Sequence, residues 1–175
     1  RAGLGAILIC HLLVAGWTGW RFHLANRPPV VKIEGGLAMD PIGSQALLTD
    51  KRRLVPVYRA RLDGDIRAYY EFETHQPSGP SVQRAGEDAR SNCHGWVFAG
   101  GQYLIHGSGV DMILKDNEYR MVTDPQPGDV VVYRDSSGQI VHSGFVQTAF
   151  DDGQVLVESK WGISGTYLHF PEDQP

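Results

Sequence analysis

The segment Asn92-Cys93-His94-Gly95-Trp96 sets a thiol beside an imidazole at the start of a run, Trp96, Val97, Phe98, Tyr103 and Leu104, that predicts a short helix with a break at Gly100-Gly101. A cysteine at a helix N-terminus is favoured as thiolate by the free backbone N–H groups there, and a thiolate is a strong nucleophile. Ser91 is the expected cap. A lone cysteine also fills core space well, so Cys93 acts as a nucleophile only if a base and an orienting group accompany it. His142, inside the strand candidate Gln139 to Thr148, is the base, because an imidazole on the inner face of a strand costs desolvation unless it has a partner or a task. The acid is Glu158, which ends the otherwise apolar Val155-Leu156-Val157 and follows the turn signal Asp151-Asp152-Gly153. A hairpin centred on Phe150 would set His142 and Glu158 opposite each other, about 5 Å apart between Cβ atoms; an even-numbered loop would separate them and leave Glu158 as an outward-facing charge.

The remaining candidates have plainer roles. His94 adjoins the thiol and points elsewhere on a helix, so it is a poor base for Cys93. His106 sits in a Gly-rich turn, and His169, in a last strand from Thr166 to Phe170, is the reserve for the orienting role. Trp161, just after Glu158 and before Gly162, is a candidate to line a substrate cleft, whereas Trp96 reads as core. Cys10 lies in an apolar run, which leaves Cys93 the sole thiol of the remainder, without an internal disulfide. No C-x-x-C or H-x-x-x-H spacing is present, so neither a metal nor any other cofactor is expected.

The elements that must position these residues follow from pattern. Val130 to Tyr133, Gln139 to Thr148 and Gln154 to Ser159 are strand candidates after the turn Pro125-Gln126-Pro127-Gly128-Asp129, and a second helix is expected from Ser108, with Val110, Ile113 and Leu114 on one side. Helix first and antiparallel strands after define an α+β fold. Upstream, Leu54 to Leu62 and Ile66 to Thr74 flank Asp63-Gly64 as a hairpin, and His75 to Gly86 is expected as loop.

A chain of 175 residues with 42% apolar content supports one domain, and its net charge of -4 gives no basic field for nucleic acid. Residues 2–20 contain no charged group other than His11 and end in two tryptophans and Arg21, the flank of a membrane segment or, at this length, of a cleaved export signal. The expected organisation is therefore a transmembrane or signal segment over 1–25, a linker or arm over 26–50, and a catalytic domain over 51–175 with its core at 91–170.

In this order the blocks Asn92-Cys93-His94-Gly95-Trp96, Pro127-Gly128-Asp129-Val130-Val131-Val132-Tyr133, Val141-His142-Ser143-Gly144-Phe145-Val146 and Val155-Leu156-Val157-Glu158 resemble the NlpC-type cell-wall cysteine peptidases and the related cysteine, histidine-dependent amidohydrolase/peptidase domains (CHAP-like), both of the papain-like superfamily. The resemblance covers about Ser91 to Gly162. It implies a helix bearing the cysteine packed on an antiparallel sheet bearing the base, and hydrolysis of amide bonds in peptidoglycan peptides through a thioester, without a cofactor, by an exported or membrane-anchored protein of the cell envelope. Asn92 stands where aspartate is usual, His94 where a small residue is usual, and Ser143 where His-Val-Gly has valine; the third residue of the NlpC group is commonly histidine, whereas Glu158 looks like the acid of the amidohydrolase relatives. Two alternatives stay open: a lipid or protein acyltransferase on the same fold, and a non-catalytic, membrane-tethered binding domain.

Overall fold

The computed structural model describes residues 39–43, 47–60, 80–162 and 164–174, all within a unit spanning Leu37–Pro175. The apolar run at 2–20 and the strand expected at Ile66 to Thr74, with its Asp63-Gly64 turn, lie outside the described residues. Among the described residues no helix is long and apolar enough to cross a membrane.

The described part is α+β with antiparallel sheets. Strands β1 (Met39–Pro41), β2 (Val57–Ala60) and β4 (Leu104–Ile105) form one sheet in the order β1-β2-β4. The other runs β3-β8-β7-β6-β5, with β3 at Ser81–Ala85, β5 at Val130–Arg134, β6 at Ile140–Ala149, β7 at Val155–Lys160 and β8 at Thr166–His169. Helix α1 is Cys93–Phe98, helix α2 is Gly107–Asp116, and a 3₁₀ turn follows at Pro171–Asp173. Two expectations are corrected here. Within the arm expected at 26–50, Met39–Pro41 pairs with β2, and Leu48 bridges Leu54. The loop expected at His75 to Gly86 contains β3, which pairs with β8 and so closes the edge of the larger sheet.

The core between α2 and the sheets consists of Val55, Val57, Ile105, Val110, Ile113 and Ile140, with Val132 packed against it. Helix α2 reaches this core because Val110 and Ile113 share one face at helical spacing. Its far end anchors the arm: Thr49 Oγ1 donates to Asp116 Oδ2 at 2.8 Å, and Arg53 grips both carboxylate oxygens. Bidentate contact of this kind fixes geometry as well as charge.

Helix α1 does not continue to Tyr103 and Leu104 as expected, and Leu104 belongs to β4, because Ala99 caps the helix and Gly100 and Gly101 follow with positive φ. Its start is set by Asn92 rather than Ser91. The Asn92 Oδ1 accepts from Gly95 N at 3.0 Å and from Ile105 N at 3.1 Å, while Nδ2 donates to Ile105 O at 2.8 Å. One amide thus caps the helix and staples it to β4. Aspartate, lacking an N–H, could not make the bond to Ile105 O. Gly95 leaves room for the chain itself, since a β-carbon there would overlap the Tyr103 carbonyl.

Two stability outcomes are expected. Gly95→Ala should cost about 1–3 kcal/mol by overpacking, read as a lower urea midpoint; an unchanged midpoint would show that α1 is not seated against Tyr103. The Arg53 hydrogen bonds hold the Asp116 carboxyl down to about 2, against burial. A depressed folded pKa stabilises above the ordinary carboxylate value near ~4 and is lost as pH falls through ~4 toward ~2. Asp116→Asn should therefore flatten acid unfolding in that window.

Candidate functional site

Strand alternation decides which candidates meet. On β6, His142, Gly144 and Val146 share one face, and Ser143 and Phe145 the other. Tyr133 pairs with His142, Gly144 with Ser159, and Phe145 with Glu158. Val157 pairs with His169 and Ser159 with Tyr167. One face therefore presents Tyr133, His142, Gly144, Ser159, Tyr167 and His169, and the opposite face presents Ser143, Phe145, Glu158 and Lys160.

Helix α1 lies on the second face. His94 Nδ1 is 2.9 Å from Ser143 Oγ, and the rings of Trp96 and Phe145 meet edge to face at 5.3 Å. Cys93 and Trp96, three residues apart, share a side of the helix. The thiol is 6% exposed and forms no disulfide. Burial pushes it up to about 11, although the backbone N–H groups of Ser143, His94 and Cys93, together with the Lys160 charge, pull the other way. Expected as a helix-activated thiolate, Cys93 stands as a neutral thiol, because six residues of helix do not offset full burial.

The expected meeting of His142 and Glu158 does not occur. The hairpin is centred on Asp152 rather than Phe150, so its odd-numbered loop at 150–154 would set Glu158 on the face of His142 but across from Val146, and a bulge between Val146 and Thr148 then shifts the register by one. Glu158 consequently pairs with Phe145 and faces away from His142. His142 is 5% exposed, rests against the Tyr133 ring at 5.5 Å, and leaves Nε2 buried without a partner, as is Tyr133 Oη. Among the described residues no hydrogen bond joins His142 to Cys93. Burial, followed by the neighbouring imidazoles His94 and His169, lowers His142 to about 3; burial and His106 lower His94 to about 4.

On the face of His142 the structure assembles a chain that the sequence did not reveal. Ser159 Oγ lies 2.7 Å from His169 Nε2, His169 Nδ1 lies 2.7 Å from Phe170 O, and Trp161 Nε1 donates to Ser159 Oγ at 3.1 Å. A carbonyl can only accept, so His169 carries its proton on Nδ1 and Nε2 accepts from the Ser159 hydroxyl. His169 is thus oriented and fully bonded, but through Ser159 rather than to His142. Trp161, expected to line a cleft, stacks on Tyr167 at 4.3 Å and is held by its indole N–H. The described groove is elsewhere, lined by Arg59, Ala60, Ala89, Arg90, Gln102 and Tyr103. His106 is exposed, with its ring against Tyr58.

Among the described residues no group of histidine, cysteine and carboxylate side chains is arranged to hold a metal ion. No protein-family model matches the chain, nor does any curated protein or solved structure.

Buried neutral imidazoles make a pH prediction. With folded values of about 3 and about 4 for His142 and His94, and an unfolded value near ~6.5, the unfolded chain binds more protons below ~6.5. Stability should fall as pH drops from ~6.5 toward ~4, before the Asp116 window opens. The urea midpoint at graded pH checks this, and a midpoint constant between those limits would mean that the imidazoles reach solvent.

Proposed function

We propose that this chain is a thiol-dependent amidohydrolase of papain-like architecture, acting on peptide amides of peptidoglycan in the cell envelope, to which residues 2–20 deliver or anchor it. The observation that carries this proposal is the seat of Cys93. The thiol lies in the first turn of a helix packed on an antiparallel sheet, against the strand that bears both Ser143 and His142. Backbone N–H groups gathered at a nucleophile are the donors that stabilise a tetrahedral oxyanion. Sulfur attacks the amide carbonyl, a base accepts the thiol proton and returns it to the leaving amine, and water releases the thioester. Because thiol and imidazoles are neutral at rest, the proton moves during attack and not before it.

Two imidazoles contend for the base. His142 is the one implied by the sequence blocks, and His94 lies on the helix face of the sheet together with Cys93. Glu158 is not opposite His142 and serves neither directly. A second reading, a non-catalytic membrane-tethered binding domain, is favoured by the burial of the sulfur and by the separation of His142 from Glu158.

Incubation of the chain with purified peptidoglycan, followed by mass spectrometry of released fragments, tests the proposal. Cys93→Ala should abolish release while moving the thermal midpoint by only a few degrees. Loss in His142→Ala with retention in His94→Ala assigns the base to His142, and the reverse assigns it to His94. Absence of fragments from the parent chain supports the binding-domain reading instead, and amide transfer to an added amine in place of hydrolysis would identify an acyltransferase.

A further inference from the structure

Lys160 is 2% exposed, at the end of β7. A buried ammonium is costly unless each of its N–H groups is bonded. Here all three are: Nζ donates to Asp88 O at 2.5 Å, to Gly162 O at 2.8 Å and to Ser164 O at 3.2 Å. The last two acceptors belong to a turn closed by Ser164 N to Trp161 O and Trp161 N to Gly165 O, so the cage is preformed by the backbone. These acceptors are neutral. The nearby carboxylate of Asp88 is committed to Arg90, through contacts of 2.7 to 3.0 Å, and gives Lys160 only its carbonyl. Among the described residues the ammonium therefore has its hydrogen bonds satisfied without an ion pair of its own.

Position decides where that charge is felt. Continuing the register Gly144↔Ser159 by one step sets Lys160 across from Ser143, on the face covered by α1. Ser143 bonds to His94, the residue that follows Cys93 in the first turn of α1. The charged and titratable groups around Lys160 are Asp88 and Arg90 from the preceding loop and Cys93 and His94 from α1, with Glu158 on its own strand.

Resting on the hydrolase reading above, we propose that Lys160 is a positioning residue for Cys93: it ties the Asp88 loop, which leads into α1, to the turn after β7, and it holds a fixed positive charge beside the sulfur. A thiol becoming a thiolate, or a carbonyl becoming an oxyanion, gains from such a charge in a site where water does not screen it. A tie alone would need only hydrogen bonds; the charge is what acts on the sulfur.

The test is alkylation of Cys93 by iodoacetamide at pH 7, where Lys160 is charged, in the full chain, read on the Cys93 peptide by mass spectrometry. Lys160→Met should slow alkylation about tenfold, one unit of thiol pKa, and Lys160→Arg, which keeps the charge, should restore the rate to within about threefold. Where Lys160→Met does not fold, Lys160→Gln, which retains amide donors for the carbonyls, is read in its place. A rate equal to or faster than the parent's in the neutral variant overturns the proposal. Alkylation does not depend on turnover, so a chain that fails to cleave peptidoglycan sinks the hydrolase reading while this measurement still reports what Lys160 does to the thiol.

Discussion

Strand β6 governs the molecule. The candidate residues lie on it or on the elements around it, and the alternation of its side chains assigns each neighbour to one of two faces. That assignment is fixed by irregularities at both ends: one bulge against β5, between Tyr133 and Arg134, and one against β7, between Val146 and Thr148. The first lets Ile140 join the α2 core while His142 turns to the other side. The second moves Glu158 from the face of His142 to that of Phe145. A single inserted residue reverses the facing of everything beyond it, so two local defects decide the composition of the site.

The two faces have different characters. On the side covered by α1, nucleophile-capable and charged groups are concentrated: Cys93, His94, Ser143 and Lys160. On the other, Trp161, Ser159, His169 and the Phe170 carbonyl form a hydrogen-bonded chain beside His142, whose Nε2 and whose neighbour Tyr133 Oη have no partner. Low dielectric acts on both faces in one direction, toward neutrality: thiol up, imidazoles down, and the Lys160 ammonium down to about 8. Lys160 keeps its charge at neutral pH because three carbonyls replace its water.

Local details around α1 show how short-range chemistry supports this arrangement. Asn92 uses both ends of its amide, so that the helix start and β4 move as one piece, and the missing side chain of Gly95 lets the Tyr103 carbonyl approach. Ser91, fully buried with its hydroxyl unpartnered, is not the cap but fills the space beneath the helix.

Amino-acid order alone indicated most elements from α1 onward: a short helix at Cys93, a second from Ser108, and strands from Val130, Gln139, Gln154 and Thr166, because periodicity, caps and turn residues are local properties. It missed β1, β3 and β4, short edge strands whose residues pair only once a partner is present. It also chose the site residues by type and spacing, and there tertiary structure overruled the geometry. Whether His142 faces Glu158 depends on a register that no hydrophobic pattern marks, since Gln147 and its neighbours read the same with or without a bulge. Whether Cys93 ionises depends on burial, and Lys160, an unremarkable basic residue in sequence, becomes a caged charge only because Asp88, Gly162 and Ser164 converge on it from separate parts of the chain.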